Sequence, residues 1–116
     1  MKKNGRRSSS GLNRYLRMVV ARIRRAYPAT NRIILFGSHA YGVPHADSDL
    51  DLFVELPTRQ PSHRRHQAID RLLDPRPCGI DLIVKTPQEI HHMRRDFNPC
   101  VEEILRRGRV LYDKAR

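Results

Sequence analysis

Small and acidic residues occur in a suggestive order near the middle of the chain. Gly37 and Ser38 are followed, after ten intervening residues, by Asp49-x-Asp51. Glycine lets backbone N–H groups approach an anionic ligand closely, and a serine hydroxyl adds another donor. A pair of carboxylates suits hard cations such as magnesium or manganese. A phosphate-binding turn near two metal-binding carboxylates predicts chemistry on a nucleotide.

The phosphate-binding turn is predicted to follow a strand. Residues 32–36 form a short apolar run with β-branched residues, typical of a buried strand, and the run stops at Gly37. A short helical turn would then begin, with Gly42 closing it. In the second half of the pattern, charged and apolar residues alternate. Asp49 and Asp51 are therefore expected to point to the same face of a second strand.

A third carboxylate lies in a similar run further along the chain. Residues 79–84 predict another short strand, in which Asp81 and Ile83 share one face. Neighbouring strands lie roughly 4.8 Å apart, so pairing of this strand with the Asp49 strand would bring three carboxylates together. Such a set could hold two metal ions roughly 3.5–4 Å apart for an in-line phosphoryl displacement. The interleaved apolar side chains are expected to face the core: Leu50, Leu52, Val54, Leu82 and Val84.

Each part of this pattern has a simpler explanation when taken alone. A Gly-Ser dipeptide is usually an ordinary turn, an Asp-x-Asp pair is usually the solvent-facing side of an edge strand, and a lone aspartate is usually a surface acid or a helix cap. The apolar residues interleaved with the acids indicate central strands instead, where like charges on one face are costly without a purpose. The combination therefore favours a functional site, with Asp81 as the candidate base.

Helix signals flank the predicted strands. An amphipathic helix is predicted from Leu12 to just before Pro28, and Ser62 is predicted to cap another helix. Thr86 begins a further helix with a capping box, and the last helix stops near Gly108 before a final short strand. This order of elements indicates a mixed α/β domain.

Taken together, these residues resemble the minimal nucleotidyltransferases, or MNT proteins, of the DNA polymerase β-like superfamily. The resemblance covers the chain from about Leu12 to Asp113. Its most specific parts are Gly37 with Ser38, Asp49 with Asp51, Asp81, and the closing helix and strand of residues 104–112. It implies the small nucleotidyltransferase fold, α/β (α+β mixed), with a central mixed sheet of about four strands flanked by helices.

The resemblance also implies a role for each site residue. The nucleotide-binding residues are Gly37, Ser38 and Ser48, and the catalytic and metal-binding residues are Asp49, Asp51 and Asp81. The aspartates would hold two Mg²⁺ ions, with Asp81 also activating the nucleophile. An acceptor hydroxyl would attack the α-phosphate of a nucleoside triphosphate, with ATP expected, and release pyrophosphate. Many members carry arginine where this chain has His39, and histidine is only partly charged near neutral pH.

Chain length limits how the acceptor can be held. The 116 residues predict one domain, residues 11–116, after a basic disordered tail, residues 1–10. No room remains for a large acceptor-binding domain, so the acceptor must bring its own surface. Short members of the family resemble the antitoxin of HEPN–MNT modules, in which the MNT enzyme adenylylates a helical HEPN toxin. The resemblance therefore implies a HEPN-type toxin as partner.

The net charge of +11 means that acceptors other than a protein remain possible. A basic surface attracts nucleic acid through counterion release, so transfer to an RNA end is the second enzymatic hypothesis. The basic face of the first helix could equally be solvated or dock to an acidic partner. A third hypothesis is neutralisation of a partner by binding alone. The sequence does not distinguish a homo-oligomer from a hetero-oligomer.

The remaining reactive residue types give weaker signals. His91 and His92 diverge by about 100° on a helix, which favours surface residues over metal ligands. Cys78 and Cys100 fit no zinc spacing, and with no signal peptide or membrane-spanning run they predict reduced thiols in a cytoplasmic protein without membrane contact. Tyr41 is expected to pack over the turn rather than contact a base.

Overall fold

The computed structural model of the protein describes residues 9–42 and 48–116. The helices are α1 (Ser9–Ala26), α2 (Ser38–Tyr41), α3 (Ser62–Asp70), α4 (Pro87–Arg95) and α5 (Pro99–Arg107), and a 3₁₀ turn spans Arg71–Leu73. The strands are β1 (Arg32–Phe36), β2 (Leu50–Glu55), β3 (Ile80–Lys85) and β4 (Arg109–Asp113). Within these residues no helix is long and apolar enough to cross a membrane.

The four strands form one sheet in the order β3-β2-β1-β4. β1 pairs antiparallel with both β2 and β4, whereas β2 and β3 run parallel. A parallel pair needs a crossover connection, which α3 and the 3₁₀ turn provide here. The mixed α/β architecture with a four-stranded mixed sheet confirms the fold class expected from the sequence.

Apolar side chains pack on both faces of the sheet. One cluster gathers the inner side of α1 with one face of the strands: Leu16, Val19, Ile23, Ile33, Leu35, Leu50, Leu52, Val54, Leu82 and Val84 are among its members. The other cluster lies towards α4 and α5 and contains Ile34, Phe53, Ile90, Val101 and Ile104. The predicted core positions of β2 and β3 all belong to the first cluster. By the alternation of a strand, Asp51 and Asp81 therefore lie on the second face.

Two predicted boundaries differ from the structure. α1 begins at Ser9, so the end of the predicted tail, residues 9–10, is helical; residues 1–8 lie outside the described residues. The amphipathic signal begins only at Leu12, and a helix commonly extends a turn beyond its apolar pattern. Ser62 does not cap α3, because Pro61 takes the cap position in an extended conformation, and Ser62 becomes the first helical residue.

The predicted capping box at Thr86 is confirmed, and the structure adds a cap at Asn98. Thr86 Oγ1 accepts a hydrogen bond from the Glu89 N–H at 3.1 Å, and the Glu89 carboxylate accepts one from the Thr86 N–H at 2.9 Å. Asn98 caps α5 through the Val101 N–H. These bonds satisfy N–H groups that the first turn of a helix leaves without partners. They fix where α4 and α5 begin over the second face of the sheet.

The Glu89 carboxylate also joins α4 to α3. Arg65 is 4 % exposed, and its Nη2 donates to both carboxylate oxygens of Glu89 at 2.6 Å. Desolvation pushes the pKa of Glu89 upward, but the Thr86 N–H and the Arg65 guanidinium outweigh it and hold that pKa below its usual value. Glu89 therefore both caps a helix and neutralises a buried cation.

We expect Glu89→Ala to lower the free energy of unfolding by about 2 kcal/mol, because it removes a cap and leaves a buried guanidinium unpaired. Urea denaturation followed by circular dichroism measures the change. Glu103→Ala is the control, since Glu103 is partly exposed and lies 3.8 Å from Arg107, and it should change stability by less than about 0.5 kcal/mol. Equal losses in the two variants would contradict this account of Glu89.

Candidate active site

Two of the predicted site carboxylates are direct neighbours in the sheet. Asp51 of β2 and Asp81 of β3 are register partners in the parallel pair. After burial, the nearness of Asp81, through its charge and a side-chain hydrogen bond, is the main cause that raises the pKa of Asp51. The fold thus forces together two groups that repel each other once both are ionised.

The titration of Asp51 reflects this crowding. Burial raises its pKa to about 6, and the charge of Asp81, the hydrogen bond to Asp81 and the charge of Asp49 act in the same direction. His39 acts in the opposite direction. Asp49, Asp81 and His39 therefore lie close enough to influence Asp51. A bound cation would relieve the repulsion between the carboxylates.

Asp49 reaches this group from the residue just before β2. Its side chain lies against Gly79, where a Cβ atom would come within 2.5 Å of Asp49 Oδ1. Gly79 immediately precedes the strand that carries Asp81. Asp49 is exposed, whereas Asp51 is partly buried. The three acids therefore occupy one end of the β2–β3 pair.

The predicted phosphate-binding turn meets the same acids. Phe36, the last residue of β1, is the register partner of Asp51, so the chain leaves the sheet beside that carboxylate. Gly37 follows with φ +74°, and a Cβ atom there would lie 2.0 Å from Asp51 Oδ2. Only glycine fits both the backbone conformation and this close approach. The structure thus brings Gly37 and Asp51 into contact.

α2 connects the turn to the start of β2. The N–H groups of Ala40 and Tyr41 donate to the Gly37 carbonyl, and Gly42 closes the turn through a bond from its N–H to the Ser38 carbonyl at 3.0 Å. Gly42 thus ends α2 as expected from the sequence.

His39 lies between the turn and the acids. Its Nε2 is 3.2 Å from the carbonyl oxygen of Ser48, which precedes Asp49. This contact fixes the imidazole beside the acidic residues, where it lowers the pKa of Asp51. His39 is therefore a basic side chain held within reach of the acids.

The fit of a divalent cation can be judged from the acids themselves. Among residues 9–42 and 48–116, no group of three or more His, Cys, Asp or Glu side chains is already arranged to hold a metal ion. Asp51 and Asp81 are nevertheless register partners, the charge of Asp81 raises the pKa of Asp51, and carboxylate oxygens are the ligands that magnesium prefers. These two carboxylates fit a divalent cation, and Asp49 is their nearest acidic neighbour along the chain.

The histidines of α4, the two cysteines and Tyr41 do not join the group of acids. His91 and His92 are exposed on α4, and both cysteines are free thiols. Tyr41 is partly buried and packs under the guanidinium of Arg107, whose Cζ lies 4.3 Å from the ring centroid. No spacing in the sequence indicates that Arg107 reaches α2, because the contact depends on how α5 returns across the sheet.

Comparison with known proteins agrees with this geometry. The profile of the family described as "Nucleotidyltransferase domain" matches residues 16–107, which is most of the chain. The chain therefore belongs to the nucleotidyltransferase domain family. Among curated proteins, none matches the sequence.

Two solved structures share the fold. One is the 1.40 Å crystal structure of a Sulfolobus solfataricus protein inferred to be a nucleotidyltransferase, with 17% identity, a TM-score of 0.61, and coverage of 95% of this chain and 93% of that one. The other is a chain from the crystal structure of a toxin–antitoxin with AMP-PNP, with 20% identity, a TM-score of 0.61, and coverage of 85% and 73%.

The crowding of Asp51 predicts an unusual pH dependence of stability. In the unfolded chain an aspartate titrates near pH ~3.9, whereas burial and Asp81 raise the folded-state pKa of Asp51 to about 6. Because the folded state binds this proton more tightly, the stabilisation is fully present below the unfolded pKa and is lost as the pH rises through the folded pKa.

We therefore expect Asp51→Asn to stabilise the metal-free protein at neutral pH by roughly 1 kcal/mol, a figure reduced for solvent screening of this partly exposed site. Near the unfolded pKa the variant and the parent should differ little. Thermal unfolding in the presence of a chelator, measured across this pH range, tests the difference. A variant that is destabilised equally at both ends of the range would refute the crowding argument.

Proposed function

We propose that the protein is a Mg²⁺-dependent nucleotidyltransferase that transfers a nucleoside monophosphate, AMP from ATP, to a hydroxyl group of a partner protein. The observation that carries this proposal is the side-by-side placement of Asp51 and Asp81 in the parallel pair, with Asp51 packed against Gly37. In a chain of the nucleotidyltransferase domain family, a carboxyl pair beside an open glycine turn is best explained as a site for a metal-bound triphosphate.

The residues divide the work in a simple way. Gly37 leaves the backbone open to the β and γ phosphates, and Ser38 and Ser48 supply polar groups on either side of the acids. Asp49, Asp51 and Asp81 would hold two magnesium ions, which supply charge neutralisation and help to ionise the acceptor hydroxyl. Asp81 accepts the proton of that hydroxyl.

The reaction itself is a balanced displacement at phosphorus. The acceptor oxygen forms a bond to the α-phosphorus as the bond between that phosphorus and the bridging oxygen of pyrophosphate breaks. Pyrophosphate leaves, and AMP remains on the acceptor. Positioning of the reactants and electrostatic stabilisation supply most of the rate in such reactions.

A protein acceptor is supported by two observations. One structural neighbour comes from a toxin–antitoxin crystallised with AMP-PNP, and this chain belongs to the nucleotidyltransferase domain family. We therefore propose a toxin as the partner, of the helical HEPN type that the sequence resemblance implies. Modification of the toxin would neutralise it, which makes the protein an antitoxin of the cytoplasm.

An RNA end is the alternative acceptor, and the surface of α1 favours it. Arg14, Arg17, Arg24 and Arg25 are exposed along this helix, and exposed arginines bind phosphates without regard to sequence. Arg22 belongs to the fold instead, because its guanidinium donates to the carbonyl oxygens of Leu72 and Asp74. A third possibility is neutralisation of the toxin by binding without catalysis.

Label transfer from ATP carrying its tracer on the α-phosphate tests these alternatives. The purified protein is offered the protein encoded by the neighbouring gene and, separately, total RNA, each with magnesium. We expect label on the protein acceptor, and we expect Asp49→Asn combined with Asp51→Asn to reduce it by at least about 10³-fold, the range in which removal of charge-stabilising groups slows such reactions.

Asp96→Asn with Glu102→Gln is the matched control, because it also removes two acidic charges but lies at the end of α4 and on α5; it should leave labelling within about twofold, as is usual for exposed and partly exposed positions. Label on RNA alone would replace the protein acceptor by a nucleic acid. If neither acceptor is labelled while the double aspartate variant still neutralises the toxin, the catalytic proposal is wrong and binding explains the function.

A further inference from the structure

Arg107 is the last residue of α5. Its side chain lies beside the turn that is proposed to bind the triphosphate. Its guanidinium lies over the ring of Tyr41, 4.3 Å from the centroid. Tyr41 is the last residue of α2, the single helical turn that begins at Ser38. Residues three apart in a helix lie on neighbouring positions of its surface. The guanidinium is therefore held next to the turn that carries Ser38.

The backbone of α5 fixes this placement. Gly108 follows Arg107, and a Cβ atom at Gly108 would come within 2.4 Å of both the Ile104 carbonyl oxygen and Ile34 Cγ2. It would also lie 3.3 Å from the Leu35 carbonyl oxygen. The end of α5 thus rests directly on β1, two residues before Gly37. The Arg107 side chain therefore contacts α2 from a helix end that is packed against β1.

The stacked geometry leaves the hydrogen-bonding edge of the guanidinium available. Stacking on an aromatic ring uses the face of the guanidinium, whereas its N–H donors lie in the plane and point outward. The nearest carboxylate oxygen of Glu103 is 3.8 Å from Nη1, which is longer than a hydrogen bond. Arg107 is therefore oriented by Tyr41 without a close carboxylate contact from Glu103.

The proposed site has an excess of negative charge that a cationic side chain such as Arg107 would offset. Three aspartates and a bound triphosphate carry more negative charge than two divalent cations neutralise. Arginine remains protonated at neutral pH, so a guanidinium supplies a full positive charge there. A planar guanidinium also matches the oxygens of a phosphate group in a bidentate way.

We propose that Arg107 is a binding residue for the polyphosphate of the nucleotide and that Tyr41 is the positioning residue that holds it there. This inference rests on the proposed function, because it assumes that the triphosphate lies on the Gly37–Ser38 turn. It assigns to the last turn of α5 a share in substrate binding.

Binding of inorganic tripolyphosphate and of ATP, each with magnesium, provides the test by calorimetry. Arg107→Ala should weaken both about tenfold, the cost of one charge-assisted hydrogen-bonded contact. Arg106→Ala is the matched control, since Arg106 is an exposed arginine one position earlier on the same helix, and it should weaken binding less than about twofold. Adenosine, which has no phosphates, should bind the Arg107 variant as well as it binds the parent protein.

Variants that keep the fold separate binding from packing. Arg107→Lys should restore part of the affinity through its charge, and Tyr41→Leu should weaken binding with a smaller loss that is not additive with Arg107→Ala. In the transfer assay, the KM for ATP should rise for Arg107→Ala while kcat stays within about threefold, a pattern that a loss of ground-state binding produces. Thermal unfolding of each variant verifies that the fold is retained.

The possible outcomes distinguish a failure of the Arg107 inference from a failure of the proposed nucleotidyltransferase function. If the parent protein binds neither tripolyphosphate nor ATP, both fail. If the parent protein binds ATP and the Arg107 and Arg106 variants match each other, Arg107 has no role in binding and the nucleotidyltransferase proposal stands. If Arg107→Ala weakens adenosine binding as strongly as ATP binding, the contact is with the nucleoside and the inference is overturned.

Discussion

The site depends on the parallel pairing of β2 with β3. This pairing places Asp51 beside Asp81, and the antiparallel partner β1 delivers Gly37 to the same carboxylate. The strands that hold these groups are anchored by buried neighbours such as Leu52 and Phe53, both 0 % exposed. A rigid sheet can keep two acids together against their repulsion, and a flexible loop would let them separate. A cation bound between the two carboxylates would offset the cost of that crowding.

The arrangement also explains how so short a chain assembles a site from distant segments. The turn after β1, the entry to β2 and the start of β3 meet at one end of the sheet, while α5 returns from the C-terminal region to reach α2. Gly37 and Gly108 each lie where a side chain would collide with a neighbouring segment. Close backbone approach at these two glycines lets the segments meet without an intervening side chain.

Local patterns were sufficient to predict most of the fold. The alternation in β2 and β3 identified the core positions, and the Thr86 capping box marked α4, because these signals depend on neighbouring residues only. The predicted cap at Ser62 was wrong, since Pro61 occupies that position. The sequence could not show that His39 contacts the Ser48 carbonyl or that Arg107 stacks on Tyr41, because both contacts arise from tertiary packing. The sequence predicted that Asp49, Asp51 and Asp81 would come together. It could not show that, among the described residues, no three acidic side chains are already arranged to hold a metal ion.

Counting bound metal ions tests the central claim most directly. Manganese can replace magnesium at oxygen-ligand sites, and electron paramagnetic resonance detects both bound Mn²⁺ and the coupling between two ions that lie close together. With a non-hydrolysable ATP analogue present, the account predicts two coupled Mn²⁺ ions per chain in the parent protein and loss of the coupled pair in Asp51→Asn. Mn²⁺ binding that is unchanged in Asp51→Asn, or no nucleotide-dependent binding in the parent protein, would contradict the assignment of these carboxylates to a nucleotidyl-transfer site.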